Sequence, residues 1–477
     1  MTSPKKVAVI GGGWAGLSCA AHLIGLHQNH PRAQGLEVHL FESAPQLGGR
    51  ARGLAWPITP DTTLAIDNGQ HLTIGAYTET FHLLKMVNAP SWQREPLRWS
   101  GVGQNRVAYQ WSVPSDAWPW RLLKGIVPGN GPKGWPVAWK RNMPRLLWAL
   151  TRRNAEKTSL TALTWLQHHG VREDFIDHLW RPLVEGALNT ELSNASASVM
   201  VRVLRDSLLG PANATDVLTP ETDLSQAGVE PIAAWLAQHH VRLSLGHRVR
   251  RLNPQPPNQD AVARPQYGRF ELSIDHQGQQ QGFEADRVVM ALPARETTTL
   301  WQESRLPQAP AIHRLETLRY RAITTIWIAL TEEDNATLTS LPSWFVLQPQ
   351  DGIPHVAQVG VKRPGILALV ISAQDPEAPE TLARRETHER LLRDQLRVQL
   401  GLALKDQPQK WITEKSATWA CTPQTRLADP SEARGLTGVD GLFRCADDLE
   451  PGYPATIESA VRSGKRTAET VIASLRD

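Results

Sequence analysis

Cysteine is scarce in this sequence, with three residues in 477 and no C-x-x-C pair. Three thiols cannot build a complete disulfide framework, so the sequence predicts a reducing compartment. The missing C-x-x-C pair argues against a redox dithiol or a zinc knuckle. A run of about 18 apolar residues is also missing, so we expect no transmembrane helix. The N-terminus leads directly into a strand pattern, so we expect no signal peptide.

Neither sign of charge is in large excess, because the net charge is only +4. That excess is too small to indicate nucleic-acid binding, and no recognition module accompanies it, so we predict no nucleic-acid partner. Hydrophobic content of 41% and charged content of 21% are ordinary for a globular protein. The length allows two or three domain-sized units. We find no cluster with metal-ligand spacing and predict no metal site.

Acidic residues are missing from one long stretch, Ala117–Ala155. Its basic residues are Arg121, Lys124, Lys133, Lys140, Arg141, Arg145, Arg152 and Arg153. Its tryptophans are Trp118, Trp120, Trp135, Trp139 and Trp148. Tryptophan favours the headgroup level of a bilayer, and lysine and arginine are attracted to anionic lipid. The stretch therefore predicts membrane contact, with a solvated basic face over core tryptophans as the alternative.

The strongest motif lies near the N-terminus. Val7–Ile10 is a short apolar run typical of a buried parallel strand. Gly11, Gly13 and Gly16 follow with G-x-G-x-x-G spacing, and Ala15–Leu26 has a helical pattern. The first glycine permits a tight turn, the second permits close approach of a pyrophosphate, and the third lets the helix pack on the sheet. The free N–H groups of the helix N-terminus favour phosphate.

The context of that motif makes it specific. A second copy, Gly129–Gly134, has Pro128 before it and Pro132 inside it, and we predict a loop there. The first copy is followed by a predicted strand, Leu36–Phe41, which ends at Glu42. An acidic residue in that position accepts hydrogen bonds from an adenosine ribose. The motif therefore predicts a dinucleotide site.

A second glycine turn, Gly48-Gly49-Arg50, follows Glu42 after a short loop. A plain nicotinamide dehydrogenase does not need it, whereas a permanently held cofactor gains from a second turn and a bidentate guanidinium. Glu42 through Arg52 resembles the FAD-dependent amine oxidase and phytoene desaturase superfamily. Asp67–His71 and Arg181–Thr190 resemble its squalene-associated branch, the hydroxysqualene dehydroxylases.

The resemblance implies an α/β fold (α+β overall). It consists of a Rossmann-like FAD-binding domain of the glutathione-reductase and amine-oxidase type and an inserted substrate domain, with a helical cap and a mixed sheet. We predict that residues 1–90, 225–300 and 435–477 form the discontinuous FAD-binding domain. Residues 91–224 and 301–434 form the predicted substrate-binding domain.

The resemblance also implies which residues contact FAD. It places a backbone contact to the adenine at Val249, for which a plain strand residue is the alternative. It matches Ala291 and Pro293 to the turn that lies over the cofactor, and it places a ribityl or phosphate contact at Asp447. A helix beginning near Ala455 would stabilise negative charge on reduced flavin. The full predicted set is Gly11, Gly13, Trp14, Ala15, Gly16, Glu42, Ser43, Gly49, Arg50, Ala51, Asn68, Gly69, Gln70, Val249, Ala291, Pro293, Asp447, Pro454, Ala455 and Thr456. The sequence departs from the family at Ala446, where glycine is usual.

The implied reaction is the reductive dehydroxylation of hydroxysqualene to squalene with hydride from reduced FAD, in squalene and hopanoid biosynthesis. Hydroxide is a poor leaving group, so the site needs an acid, and Asp67, His71 and Tyr453 are the candidates. The alternatives are that Asp67 only forms a turn and that His71 is structural.

Partners and location follow from the same resemblance. The substrate would be a polyprenyl molecule. No second dinucleotide site with the proper context is present, so an external electron donor is expected. Neighbouring squalene-pathway enzymes are further expected partners. We expect a cytoplasmic protein, peripheral on the inner face of the cytoplasmic membrane.

Two other functions remain open from the sequence. One is an FAD-dependent oxidase, either a carotenoid-type desaturase or an amine oxidase. An amine oxidase would show an aromatic cage, of which Tyr453 could form one wall. The other is a non-catalytic FAD-containing carrier of prenyl intermediates.

Overall fold

A computed structural model describes residues 4–28, 35–126, 132–255, 269–348, 356–359, 365–375, 382–404 and 411–475. Its strands are β1 (Lys5–Ile10), β2 (Leu36–Glu42), β3 (Gly53–Thr59), β4 (Thr62–Asp67), β5 (Thr73–Ile74), β6 (Gln93–Glu95), β7 (Arg98–Gly103), β8 (Arg106–Ser112), β9 (Val217–Thr219), β10 (Arg242–Leu245), β11 (His247–Gln255), β12 (Arg269–His276), β13 (Gln279–Ala285), β14 (Arg287–Met290), β15 (Tyr320–Ala329), β16 (Trp344–Leu347), β17 (Val356–Val359), β18 (Ile366–Gln374), β19 (Trp411–Trp419) and β20 (Leu442–Arg444).

Its α-helices are α1 (Trp14–Gln28), α2 (Thr78–Met86), α3 (Trp120–Ile126), α4 (Val137–Thr151), α5 (Ala162–His168), α6 (Glu173–Phe175), α7 (Arg181–Leu188), α8 (Ala197–Leu208), α9 (Glu230–Gln238), α10 (Ala294–Glu303), α11 (Pro310–Thr317), α12 (Glu332–Leu338), α13 (Leu382–Leu400) and α14 (Ile457–Ser474). Two π-helical segments, Ile176–Trp180 and Ser225–Val229, run directly into α7 and α9.

A parallel sheet, ordered β10-β2-β1-β14-β20, holds the N-terminal motif. Val7–Ile10 in β1 is buried, as strands of a parallel sheet covered on both faces must be. Helices α1 and α14 pack closely on each other. A Cβ on Gly464 of α14 would lie 2.4 Å from the carbonyl oxygen of Ala15, so only glycine permits this approach.

A mixed sheet, ordered β19-β15-β18-β17-β16-β7-β8, forms a second layer. Its neighbouring strands are antiparallel except for the parallel pair β16 and β7. Asn189, at the C-terminal end of α7, ties the helical cap to this sheet. Its side-chain Nδ2 donates to the Arg321 carbonyl at 2.8 Å and to Thr418 at 2.9 Å, and its Oδ1 accepts from the Ala373 N–H at 2.7 Å.

The predicted segments can be compared with these layers. Every strand of the parallel sheet lies in the segments predicted for FAD binding, and every strand of the mixed sheet lies in the other two. The predicted boundary at 300/301 falls inside α10. The β3–β4 hairpin also departs from the division, since its Trp56 and Ile66 pack against Trp327 of the mixed sheet.

Some local predictions also need correction. Helix α14 begins at Ile457, and Thr456 caps it by accepting a hydrogen bond from the Ser459 N–H at 3.1 Å. Helix α13 begins at Leu382, and residues 380 and 381 lie outside the described residues. The second glycine motif is predicted to be a loop, and two of its glycines, Gly129 and Gly131, lie outside the described residues.

The tryptophan-rich stretch is divided between core and surface. Trp135 and Trp139 are buried beside Phe175, at ring-centroid distances of 5.1 and 4.9 Å, so these two are core residues. Arg121 is also buried, and its guanidinium donates to backbone carbonyl groups. The prediction that the whole stretch contacts membrane is therefore too broad.

Candidate active site

A cavity of about 1030 Å³ lies between the two sheets. Its wall includes residues at the carboxyl ends of β1, β2 and β14, where open α/β sheets bind ligands. Single ligand pockets span about 300–1,000 Å³. The cavity is therefore at the upper limit of that range, as an extended ligand requires.

The glycine-rich turn forms one end of this cavity. Gly11 has φ +111°, and a Cβ there would lie 2.3 Å from the Ala291 carbonyl oxygen. A Cβ on Gly16 would lie 2.0 Å from the Gly11 carbonyl oxygen, so Gly16 serves packing and does not border the cavity. A Cβ on Gly13 would meet only the Gly49 Cα, at 3.9 Å. Gly13 therefore leaves open space on the cavity wall that a side chain would fill.

Charged side chains border the same end. The Glu42 carboxylate accepts the Gly12 N–H at 2.6 Å and the Ala44 N–H at 2.7 Å, which holds it at the end of β2. Arg50 donates to Asp447 at 2.6 Å and to the Ala417 carbonyl at 3.2 Å. The Asp447 carboxylate raises the pKa of Arg50, so this guanidinium is a permanent cation on the wall.

A buried ion cluster lies directly behind Asp447. Asp448 accepts from Arg314 at 2.7 Å and from Arg444 at 2.8 and 2.5 Å. Burial alone would raise the pKa of Asp448, but the Arg444 and Arg314 guanidinium groups lower it well below its usual range. The cluster joins α11, β20 and the turn that presents Asp447 to the cavity.

The opposite end of the cavity is apolar. Helices α7 and α8 contribute Leu183, Val184, Met200 and Leu204, and the mixed sheet contributes Phe345 and Val370. Trp99 and Trp180 also border it, and their indole N–H groups have no hydrogen-bond partner among the described residues. This end can hold a long hydrocarbon.

Comparison with known proteins identifies the family. Residues 14–472 match the model of the family described as flavin containing amine oxidoreductase. The chain belongs to this family. FAD is therefore the cofactor of this protein, and the protein is an FAD-dependent oxidoreductase. Its fold class is the predicted one, as the similar solved structures confirm.

The curated relatives include hydroxysqualene dehydroxylase from Rhodopseudomonas palustris, 28% identical with 99% of each chain covered. The protein of the same name from Sinorhizobium fredii is 24% identical and covers 98% of this chain and 99% of its own. Among solved structures, a putrescine oxidase triple mutant matches with a TM-score of 0.67 at 15% identity, over 98% of this chain and 99% of its own. Cyclohexylamine oxidase from Brevibacterium oxydans matches with a TM-score of 0.62 at 15% identity, over all of both chains. At these identities the two structures support the fold alone.

Most residues predicted to bind FAD border the cavity. They are Gly11, Gly13, Trp14, Ala15, Glu42, Ser43, Gly49, Arg50, Ala51, Gly69, Gln70, Val249, Ala291, Pro293, Asp447, Pro454, Ala455 and Thr456. The open space at Gly13, the Arg50 cation and the N-terminus of α1 suit a pyrophosphate. The residues present therefore fit the cofactor of this flavoprotein family.

Two further predicted residues, Asp67 and Asn68, do not border the cavity. Asp67 accepts a hydrogen bond from the Leu224 N–H at 2.7 Å, and it is buried away from the wall. Asn68 accepts from the Arg52 N–H at 3.0 Å. Both side chains hold neighbouring backbone in place, so Asp67 is not positioned to be the acid.

His71 borders the cavity in a neutral form. Burial lowers the pKa of His71 to about 4, although a backbone hydrogen bond with Arg50 raises it. Its Nε2 has no hydrogen-bond partner among the described residues. A neutral imidazole with an open nitrogen accepts a hydrogen bond more readily than it donates a proton, so His71 does not fit the predicted acid role.

Tyr453 borders the cavity as well. Its hydroxyl is buried and lacks a hydrogen-bond partner within the described part of the chain. The guanidinium carbons of Arg462 and Arg202 lie 4.8 and 5.3 Å from its ring centroid. Tyr453 is therefore the predicted acid that the geometry leaves available.

The sequence analysis missed Thr325, which is buried in β15 and borders the cavity. Its Oγ1 accepts the Gln70 N–H at 3.4 Å. A Cβ placed on Gly69 would lie 3.7 Å from His71 Nε2 and 3.8 Å from Thr325 Oγ1. The strand was predictable, but no local signal shows which of its faces meets the Gly69–His71 segment.

Within the described ranges, no group of three or more His, Cys, Asp or Glu side chains is arranged to hold a metal ion. Over the same ranges, no helix is both long and apolar enough to span a membrane.

Proposed function

We propose that this flavoprotein removes the hydroxyl group of hydroxysqualene reductively and releases squalene and water. The observation that carries the proposal is one cavity that joins the glycine-rich cofactor end to an apolar end. Similarity to hydroxysqualene dehydroxylases over nearly the full length supports it. The reaction belongs to squalene and hopanoid biosynthesis.

The reaction consumes one hydride and one proton for each hydroxyl group lost as water. Reduced FAD supplies the hydride, and an external electron donor must restore the reduced form. The apolar wall around the substrate keeps water away from the carbocation that develops as the C–O bond breaks. The Trp, Leu and Val side chains therefore protect the reaction as well as bind the polyprenyl chain.

Thr325 and His71 would bind the substrate hydroxyl as a matched pair. Because Thr325 Oγ1 accepts the Gln70 N–H, its own proton is free to be donated to the hydroxyl oxygen. The Nε2 of neutral His71, which is buried and has no partner among the described residues, can accept a hydrogen bond from the hydroxyl. An alcohol has one donor and accepting lone pairs, so the two side chains complement it.

Tyr453 would donate the proton that converts the leaving hydroxyl to water. Its hydroxyl has no competing partner among the described residues. Arg202 pairs with Glu156 and Asp206, and Arg462 pairs with Glu450 and Glu458. The ring therefore faces two ion-paired guanidinium groups, which would stabilise the tyrosinate left behind while bringing little net positive charge to the site.

The test is an anaerobic single turnover. The purified flavoprotein is reduced with dithionite and mixed with hydroxysqualene, and flavin absorbance and extracted products are measured. Reoxidation of the flavin together with one squalene per flavin is expected. Persistent reduced flavin without squalene would contradict the proposal. Binding without turnover would then indicate a carrier. In a separate mixture of oxidised protein with a polyene, reduction of the flavin would indicate a desaturase.

A further inference from the structure

Helices α3 and α4, which both contact α8, expose several large apolar side chains. Trp120, Val137 and Trp148 are 62%, 64% and 59% exposed, and Trp118 and Leu123 are exposed with them. In contrast, Trp135 and Trp139 in the same stretch are each only 4% exposed. Folding therefore buries part of this apolar stretch and leaves another part in contact with solvent.

The exposed residues of α4 share one face of the helix. Val137, Arg141, Pro144 and Trp148 are spaced i, i+4, i+7 and i+11, and all four are exposed. The buried face carries Trp139, Met143, Leu146, Leu147 and Leu150. The hydrophobic core under α4 is therefore formed by its buried face, and the outward face takes no part in it.

Cations surround the exposed apolar residues. Arg152 lies 3.8 Å over the Trp148 ring. Lys133, Lys140, Arg141, Arg145, Arg152 and Arg153 are exposed and form no ion pair within the described residues. Lys124 differs, because it pairs with Asp116 at 2.6 Å. No acidic residue lies between positions 117 and 155, so an anionic partner would meet no repulsion from this stretch.

We propose that this face binds the surface of a bilayer that contains anionic phospholipid. We call it the bilayer face and define it by its apolar and basic members, Trp118, Trp120, Leu123, Val137, Trp148, Lys133, Lys140, Arg141, Arg145, Arg152 and Arg153. Tryptophan and aliphatic side chains enter the headgroup region, while the cations pair with lipid phosphates. Leu123 and Val137 would gain nothing from contact with nucleic acid, because nucleic acid offers no apolar layer in which to bury them.

The bilayer face is attached to the apolar end of the cavity. The Arg121 guanidinium donates to the carbonyl groups of Ser207, Leu208 and Pro211 at 2.7, 2.9 and 2.6 Å, which joins α3 to the C-terminal end of α8. Met200, Val203, Leu204 and Leu208 of α8 line the cavity. Helix α8 therefore connects the bilayer face to the cavity wall, and we expect a bilayer-dissolved substrate to arrive on this side. This last step rests on the proposed function, whereas lipid binding does not.

The test uses the full-length flavoprotein and sedimenting vesicles of phosphatidylcholine, with or without about one third phosphatidylglycerol. The variants are Trp120→Ser with Trp148→Ser, and Lys140→Gln with Arg141→Gln and Arg145→Gln. Val398→Ser is the matched control, because Val398 is equally exposed on α13 outside the bilayer face. Bound flavin and circular dichroism check that each variant folds.

Wild type and Val398→Ser should bind anionic vesicles, and each multiple variant should bind at least about tenfold more weakly. Raised salt should weaken wild-type binding. Equal binding by wild type and both variants would overturn the proposal, as would no sedimentation of wild type at low salt. Tight DNA binding that survives the tryptophan changes would also overturn it.

Turnover of detergent-solubilised hydroxysqualene separates the two proposals. Variants that lose vesicle binding should keep this turnover, because the bilayer face does not line the reaction site. Wild type that binds vesicles but never produces squalene would contradict the proposed function and leave lipid binding intact.

Discussion

The two ends of the cavity differ in whether backbone or side-chain groups form the wall. The cofactor end depends on backbone and on absent side chains, as at Gly11 and Gly13. The groups that the proposed function assigns to the substrate are side chains from distant parts of the chain, such as His71 and Thr325. The difference predicts two kinds of variant. Changes at the first end should remove flavin, and changes at the second should keep flavin and reduce turnover.

The largest effect is expected at Gly13. The Cβ of a valine there would lie 3.9 Å from the Gly49 Cα, the nearest atom outside the adjoining residues, so the backbone should keep its fold. The two methyl groups of the valine would extend into the cofactor space. FAD affinity should fall by about 100-fold or more, as overpacking of a few kcal/mol implies. Flavin absorbance per protein and the melting temperature measure the two effects.

Gly186→Ala is the control for that change, because a Cβ on Gly186 meets nothing within 4 Å and Gly186 borders the other end of the cavity. It should retain its flavin. Full flavin content in Gly13→Val would break the distinction between the two ends.

The next largest effect is expected at Thr325. Thr325→Val removes the hydroxyl at nearly constant shape, and kcat/KM for hydroxysqualene should fall by about 10- to 100-fold, the cost of an unpaired polar group. Flavin content should not change. Thr325→Ser should restore most of the rate. Thr324→Val is a control on the other face of β15, where Thr324 donates to Gln374, and an equal loss of rate there would contradict the role of Thr325.

The same contrast explains what could be predicted from the sequence. The turn at Gly11–Gly16 is local, so spacing and flanking patterns were enough to indicate the strand, the turn and the helix. Asp67, Asn68 and His71 sit together in one motif, but their roles differ because only His71 faces the cavity. Thr325 meets Gln70 from more than 250 positions away, and that pairing depends on how the two sheets stack.

A smaller effect at the cofactor end is expected for Arg50→Lys. Lysine keeps the charge but loses the planar fork that pairs with phosphate oxygens, so FAD should dissociate about tenfold more readily. Titration of apoprotein with FAD measures this, and KM for substrate should stay within about twofold. Arg52→Lys is the control, because Arg52 does not border the cavity. Equal losses in both variants would indicate a general effect of the basic pair.

The smallest effect on rate concerns His71 and pH. With a pKa near 4, His71 stays neutral from about pH 5.5 to pH 8, so its titration should leave kcat/KM unchanged over that range. A general acid of ordinary histidine pKa would instead lose activity above about pH 6.5. His71→Asn provides the comparison, since any inflection it removes would have to come from the imidazole.

The free energy of unfolding should depend on the titration of His71 more strongly than kcat/KM does. The pKa of His71 is lower in the folded state than the ordinary 6.5, so the unfolded state binds more protons between these values. The contribution of the neutral His71 ring to the free energy of unfolding is complete above about pH 6.5, and it is lost as pH falls toward 4. Between about pH 7 and pH 5, wild type should lose up to about 2 kcal/mol more unfolding free energy than His71→Asn in urea titrations. Parallel losses in the two proteins would mean that His71 is not held neutral, and the acceptor role proposed for the substrate end would fail with it.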